Sequence, residues 1–291
     1  MDGIECVVET SSLLGEGPVW CERERLLYWV DGLAPAIHCF NPCTGVDTVL
    51  DVALPGPIGC LALRESHGLL LALQDGFYVL GAETDNLSKL HDPEEHLPQN
   101  RFNDGKCDAR GRFWVGSLHC EETLPTGNFY RFDPDRSCHR VDSGFVVPNG
   151  IDWSPDSRTL YLADTMASCI LAYEFDLEHG TVGARRVFAR IDPSRGYPDG
   201  LTVDAEGFLW CAHWEGSRLT RFTADGRVDR VVELPVRCPT SCVFGGEGLD
   251  ALFVTSASMT LEVARRGTTL DGSLLRLDVG VRGRLASRFA G

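Results

Sequence analysis

Pro148-Asn149-Gly150-Ile151-Asp152-Trp153-Ser154-Pro155-Asp156-Ser157-Arg158-Thr159-Leu160-Tyr161-Leu162-Ala163 is one unit of a pattern that runs through the whole chain. It holds an oxygen-bearing loop (Pro148-Asn149-Gly150), a tight-turn signal (Ser154-Pro155-Asp156-Ser157) and an apolar, strand-like run (Thr159 to Ala163). The run recurs as Leu26 to Val30, Leu69 to Leu73, Arg112 to Gly116, Gly207 to Cys211 and Ala251 to Thr255. Successive starts are roughly 43 to 48 residues apart, the period of propeller blades. Asp108-Ala109-Arg110-Gly111 and Asp204-Ala205-Glu206-Gly207 repeat the turn chemistry, Gly supplying φ > 0 and Asp a side-chain bond to the backbone.

A second strand signal follows many of these runs, at Ile37 to Pro42, Phe129 to Pro134, Ile170 to Phe175 and Leu219 to Thr223. Apolar and polar residues alternate there, as in antiparallel strands. Pro and Gly interrupt nearly every window long enough for a helix. The pattern predicts an all-β, six-bladed β-propeller in a single domain spanning residues 1–291. Such a ring must close, and the alternating segment Ile4 to Glu9 is expected to supply the final strand of the last blade. The competing architecture, a large β-sandwich, does not explain the regular spacing.

Composition sets outer limits on function. With 43% hydrophobic and 24% charged residues, the chain reads as a soluble globular protein. Its net charge of −15 repels phosphate backbones and argues against a nucleic-acid partner. Met1-Asp2-Gly3-Ile4-Glu5-Cys6 lacks the basic and apolar regions of a secretory signal, and no stretch reaches transmembrane length, so no membrane partner is expected. The 12 cysteines include no CxxC pair and read as thiols in a reducing, cytoplasmic compartment. Cys238 and Cys242 have zinc-like spacing but no second ligand pair.

Leu14-Gly15-Glu16-Gly17-Pro18, Arg101-Phe102-Asn103-Asp104-Gly105, Pro148-Asn149-Gly150 and Tyr197-Pro198-Asp199-Gly200 occupy the same place in their units. In a propeller, the start of each innermost strand faces the axis. The aligned positions are Glu16, Ile58 or Gly59, Asn103, Asn149, Asp199, and Ser241 or Cys242. Glu16, Asn149 and Asp199 are expected to converge on one divalent cation, for which carboxylate and amide oxygens suit Ca²⁺, Mg²⁺ or Mn²⁺ and do not exclude Zn²⁺ or Fe²⁺. A single Asn-Gly or Asp-Gly is an ordinary turn, but Glu16 has no turn role, and four acceptors in register need another reason. His119 and His213 are expected at the strand ends opposite these loops and outside the site. No GxSxG, Walker-type loop or HExxH is present.

Taken with their continuations Val19-Trp20, Lys106, Ile151-Asp152-Trp153-Ser154 and Leu201, these four motifs closely resemble the senescence marker protein-30 family, also called the regucalcin, gluconolactonase and lactonase-related family. The resemblance extends over nearly all the chain. It implies a six-bladed propeller that hydrolyses a small sugar lactone with one divalent metal. It also implies that Glu16, Asn149 and Asp199 bind the metal, and that Arg101, Asn103 and Glu121 contact substrate. Glu121 rests on the shorter match Glu121-Glu122-Thr123. Asp199 is the candidate general base, returning its proton to the ring oxygen, with a metal-bound hydroxide as the competing base. A calcium-binding regulatory protein without turnover and a phosphotriester hydrolase are the alternatives. The choice among glucono-, pentono-, deoxy-sugar and sulfonated lactones stays open, because the loops 91–99 and 259–269 have no shape in the sequence. So does the oligomeric state.

Overall fold

The structure, a computed structural model, describes residues 3–81, 86–262, 266–267 and 269–291. Six four-stranded antiparallel sheets form a ring, each sheet a blade. The first blade holds β2 (Gly15–Cys21), β3 (Leu26–Asp31), β4 (Ala36–Asn41) and β5 (Val46–Val49). The second holds β6 (Ile58–Leu63), β7 (Leu69–Leu73), β8 (Gly76–Leu80) and β9 (Leu87–His91). The third holds β10 (Asn100–Cys107), β11 (Phe113–His119), β12 (Gly127–Phe132) and β13 (Cys138–Phe145). The fourth holds β14 (Pro148–Trp153), β15 (Thr159–Asp164), β16 (Cys169–Asp176) and β17 (Thr181–Arg190). The fifth holds β18 (Tyr197–Val203), β19 (Leu209–Trp214), β20 (Arg218–Phe222) and β21 (Val228–Glu233). The sixth joins β22 (Cys238–Gly245), β23 (Ala251–Ala257) and β24 (Leu274–Asp278) to β1 (Ile4–Val8).

The expected closure by the N-terminal segment is therefore present: β1 pairs antiparallel with β24, Ile4 opposite Leu277 and Cys6 opposite Leu275. A ring of sheets replaces the alternative sandwich. Among the described residues the only helix is a 3₁₀ turn at Pro193–Arg195, and no helix is long and apolar enough to cross a membrane.

Each blade buries a face against the next, so there are six cores between neighbours rather than one in the middle. Val30 and Ile37 of the first blade pack with Leu61, Leu71 and Leu73 of the second. Phe77 meets Phe102, Phe113 and Phe132 between the second and third. The last interface joins Leu27, Trp29 and Phe40 to Phe253 and Leu274. This face-to-face burial, at about 25 cal/mol per Å² of apolar surface, is the main stabilising term and leaves the axis to polar groups.

The Asp-Ala turns do more than reverse the chain. Asp108 accepts from the Arg110 and Arg112 amides at 2.9 and 3.2 Å, then from Arg112 Nε at 2.7 Å and Trp114 Nε1 at 2.8 Å. Asp204 accepts from the Glu206 and Phe208 amides and from Trp210 Nε1 (3.0 Å) and Arg221 Nε (2.8 Å). Each buried carboxylate thus joins a turn to a core tryptophan and a balancing guanidinium, which offsets its desolvation. After β24 the chain crosses the face opposite the ligand loops. Its Phe289 amide donates to Leu63 O at 2.8 Å, and the Ala290 amide to Gly111 O at 3.0 Å.

Candidate metal centre

Every innermost strand breaks register with its neighbour near its start. The breaks lie between Glu16 and Val19, Ile58 and Cys60, Phe102 and Gly105, Pro148 and Ile151, Pro198 and Leu201, and Pro239 and Cys242. A bulge of this kind leaves a residue unpaired and re-aims its side chain. Asn103, Asn149 and Asp199 sit in such bulges, and Glu16, paired with Val30, immediately precedes one. Glycines beside them let the blades close on one another. A Cβ on Gly150 would meet the Leu201 amide and lie 2.5 Å from Asp199 O, and one on Gly200 would collide with the Ser241 side chain.

In the sixth blade the bulge places Thr240, not Ser241 or Cys242, at the position equivalent to Asp199, because its register resumes at Cys242 as the fifth blade's resumes at Leu201. The Thr240 hydroxyl donates to Gly15 O at 2.5 Å and shares a second bond with Thr255, so it offers nothing to the axis. Ile58 occupies the second blade's position. Neither Ile58 nor Thr240 carries a carboxylate or an amide side chain.

Glu16, Asn149 and Asp199 are buried, at 8%, 7% and 3% exposure. Burial, then the charge of Asp104, pushes the Glu16 carboxyl up to about 8. Burial, then the charges of Glu16, Asp104 and Glu122, drives Asp199 well above the usual carboxylate range. Glu16 and Asp199, 183 residues apart in sequence, thus repel each other across the axis. Asp199 Oδ1 and Asn149 Oδ1 are buried with no hydrogen-bond partner. Two carboxylates that repel and two orphaned oxygens are what a hard cation would relieve. No group of three or more His, Cys, Asp or Glu side chains forms a metal cluster among the described residues. The candidate donors, Glu16, Asn149 and Asp199, are two carboxylates and an amide.

Arg101 is buried and fully engaged on one side. Its Nη1 donates to Asn103 Oδ1 (3.0 Å) and Phe102 O (3.3 Å), and its Nη2 to Glu122 Oε1 (3.1 Å). Asn103 Nδ2 donates to Pro148 O at 3.0 Å, so Asn103 clamps the third blade to the fourth beside Asn149. Glu122, at φ 56°, is the acidic residue that meets Arg101. Glu121 lies exposed at the rim, its amide donating to His119 Nδ1 at 3.3 Å. The structure therefore brings Arg101, Asn103 and Glu122 together, and Glu121 stands outside that cluster.

The two histidines are not at the far end from the ligand loops. Antiparallel pairing returns the end of a blade's second strand to the start of its first, so His119 faces Asn100 and His213 faces Pro198. His213 Nδ1 hydrogen-bonds Arg195 O at 3.0 Å, which fixes its proton there because a carbonyl only accepts. Burial lowers its pKa to about 4, keeping the ring neutral, and Nε2 is buried without a partner.

Other groups at the axis escape sequence reading. Asp104, pushed up to about 6 mainly by burial, lines a cavity below the ligands with Lys106, Asp152, Leu285 and Ala286. Lys106 Nζ donates to Asp152 Oδ2 (3.0 Å) and Leu201 O (2.9 Å). Glu94, in the loop left without a shape, accepts from Ser117, Asn128 and Tyr130 at 2.6, 2.6 and 3.0 Å and from Asn100 at 3.0 Å. It pins the third blade's upper end, which carries Arg101. Of the loop 259–269, residues 263–265 and 268 lie outside the described set, as do Met1 and Asp2 of the N-terminal stretch. Cys238 and Cys242 are buried free thiols, and Cys238 Sγ lies 3.5 Å from Thr260 Oγ1.

The sequence model for the SMP-30/Gluconolactonase/LRE-like region matches residues 14–258. A 6-deoxy-6-sulfogluconolactonase of Pseudomonas putida is 37% identical over 99% of both chains. Regucalcin of Xenopus laevis is 35% identical over 99% of this chain and 98% of its own. Among solved structures, a calcium-binding protein, regucalcin, of Agrobacterium tumefaciens superposes with a TM-score of 0.93 at 28% identity, covering 99% of this chain and 97% of that one. With the fold, four in-register loops and this match over most of its length, the chain belongs to the SMP-30/gluconolactonase/LRE-like family.

Proposed function

We propose that this protein hydrolyses a small sugar lactone to the open hydroxy acid, using one divalent cation held by Glu16, Asn149 and Asp199. The observation that carries the reading is the pair of orphaned oxygens, Asp199 Oδ1 and Asn149 Oδ1, buried at the axis where Glu16 and Asp199 repel. Relatives named as a sulfogluconolactonase and a calcium-binding regucalcin support lactone chemistry and a cation respectively. When bound, the cation supplies Lewis acidity, stabilising charge that develops on the lactone carbonyl oxygen.

The chain's own residues do the rest. Glu16 and Asn149 hold the cation without moving protons. Asp199 takes the proton of the attacking water as the new C–O bond forms, and returns it to the ring oxygen as the old C–O bond breaks. Arg101, held by Glu122 and Asn103, orients the lactone through its remaining N–H groups, a contribution from positioning. Glu121, exposed at the rim, contacts the far hydroxyls of the sugar. The proton taken by Asp199 is the proton it returns, and one water is consumed per lactone opened. Free thiols at all 12 cysteines suit a reducing compartment, and we place the enzyme in the cytoplasm.

The test is turnover by metal-stripped protein on glucono-, pentono-, deoxy- and sulfonated sugar lactones, with Ca²⁺, Mg²⁺, Mn²⁺, Fe²⁺ or Zn²⁺ restored in turn. Acid release that returns with one cation on a narrow set of lactones is the expected result. Tight cation binding with no turnover on any lactone, or turnover on phosphotriesters alone, would overturn the lactonase reading.

A further inference from the structure

Thr165 follows β15 directly and is buried, at 8% exposure, between the bulges of the fourth and fifth blades. Its amide donates to Val147 O at 3.1 Å, which fixes it against the start of β14. Its hydroxyl donates to Pro198 O at 2.8 Å and receives Asn149 Nδ2 at 3.3 Å. A hydroxyl has one proton, and a carbonyl only accepts. With that proton spent on Pro198, Thr165 shows Asn149 a lone pair, and Asn149 must answer with its NH₂. The amide is planar, so Oδ1 turns the other way, and there it is buried with no partner.

We infer that Thr165 is a positioning residue of the metal centre: it decides which end of the Asn149 amide faces the axis and ties that residue to the peptide preceding Asp199. The inference rests on the proposed cation site. Loss of the hydroxyl frees the amide to rotate. Its NH₂ would then point at the carboxylates of Glu16 and Asp199, satisfying them and opposing a cation. Partners of this outer kind alter metal affinity by about 10- to 100-fold.

Calorimetric titration of metal-stripped protein with Ca²⁺, and separately with Mn²⁺, tests this without reference to turnover. Thr165→Val, nearly the same shape without the hydroxyl, is expected to weaken binding by about 10- to 100-fold. Thr165→Ser restores it to within about 3-fold of wild type. In an Asn149→Asp background, where an oxygen faces the axis whichever way the group turns, Thr165→Val changes affinity by less than about 3-fold. Should Thr165→Val fail to fold, Thr165→Ala carries the same comparison. Wild-type affinity in the Val or Ala variant, a Ser variant as weak as Val, or an equal loss in the Asn149→Asp background overturns the inference while leaving the cation site standing. A wild-type protein that binds neither cation overturns both.

Discussion

Burial and the neighbouring charge of Asp104 make Glu16 costly to ionise, with its carboxyl pushed up to about 8. A carboxyl whose folded pKa is raised favours folding fully only below its unfolded value near 4.5, and that contribution is lost as pH rises through the folded pKa. Metal-stripped Glu16→Gln, which has no charge to bury, is therefore expected to melt roughly 5 °C above metal-stripped wild type at pH 8 and close to it at pH 5. Equal melting temperatures at both pH values would contradict the assignment. The same variant should lose cation affinity, the usual conflict between stability and function. At Asp199, replacement by Ala is expected to lower kcat by about 10³-fold or more with the fold intact by circular dichroism and with cation in excess. Activity within a few-fold of wild type would remove its catalytic role. Glu16 was legible in the sequence because glutamate has no turn chemistry to explain it away. Thr165, Glu94 and Glu122 were not, since their roles depend on partners brought close only by the ring. That Glu122 rather than its neighbour Glu121 pairs with Arg101 is visible only in the folded chain, where Glu122 takes a positive φ.

The blade is the unit in which a ligand is aimed. Apolar runs and the Asp-Ala turns that precede them mark the strands, because alternation and turn chemistry are local properties. The register breaks were invisible, as they arise when two strands of unequal local length pair. These breaks put Thr240, rather than Ser241 or Cys242, at the sixth blade's aligned position, whereas His119 and His213 lie at the ligand-loop end through antiparallel pairing alone. Glycine next to the ligand is the bulge's other requirement. Gly150→Ala would drive a methyl into the Asp199 carbonyl and Leu201 amide of the next blade. Backbone has little room to yield there, so the variant is expected to lose about 2 kcal/mol of stability and at least 10-fold in cation affinity, read by denaturant melts and calorimetry. Unchanged affinity would mean that blade spacing does not set the ligand geometry.

At the scale of the whole molecule, ring closure is what makes distant residues meet. β1 brings Ile4 and Cys6 onto the core beside Leu275 and Leu277, so the first and last strands share one sheet. Deleting residues 1–9 exposes the β24 edge and these apolar side chains, and is expected to lower the melting temperature by roughly 10 °C and to promote aggregation. A truncated chain that melts as the full one does would show that the ring holds without its closing strand. Six repeats and an alternating N-terminal segment made this architecture readable, whereas the cavity beneath the ligands and the C-terminal crossing depend on contacts the sequence does not encode locally. In the proposed centre, three blades converge on one cation at the axis. Crystals grown with Mn²⁺, with diffraction recorded at the manganese edge, test it most directly. One anomalous peak bound by Glu16, Asn149 and Asp199 is the expected result. Manganese bound elsewhere, or no peak at the axis under saturating Mn²⁺, would contradict it.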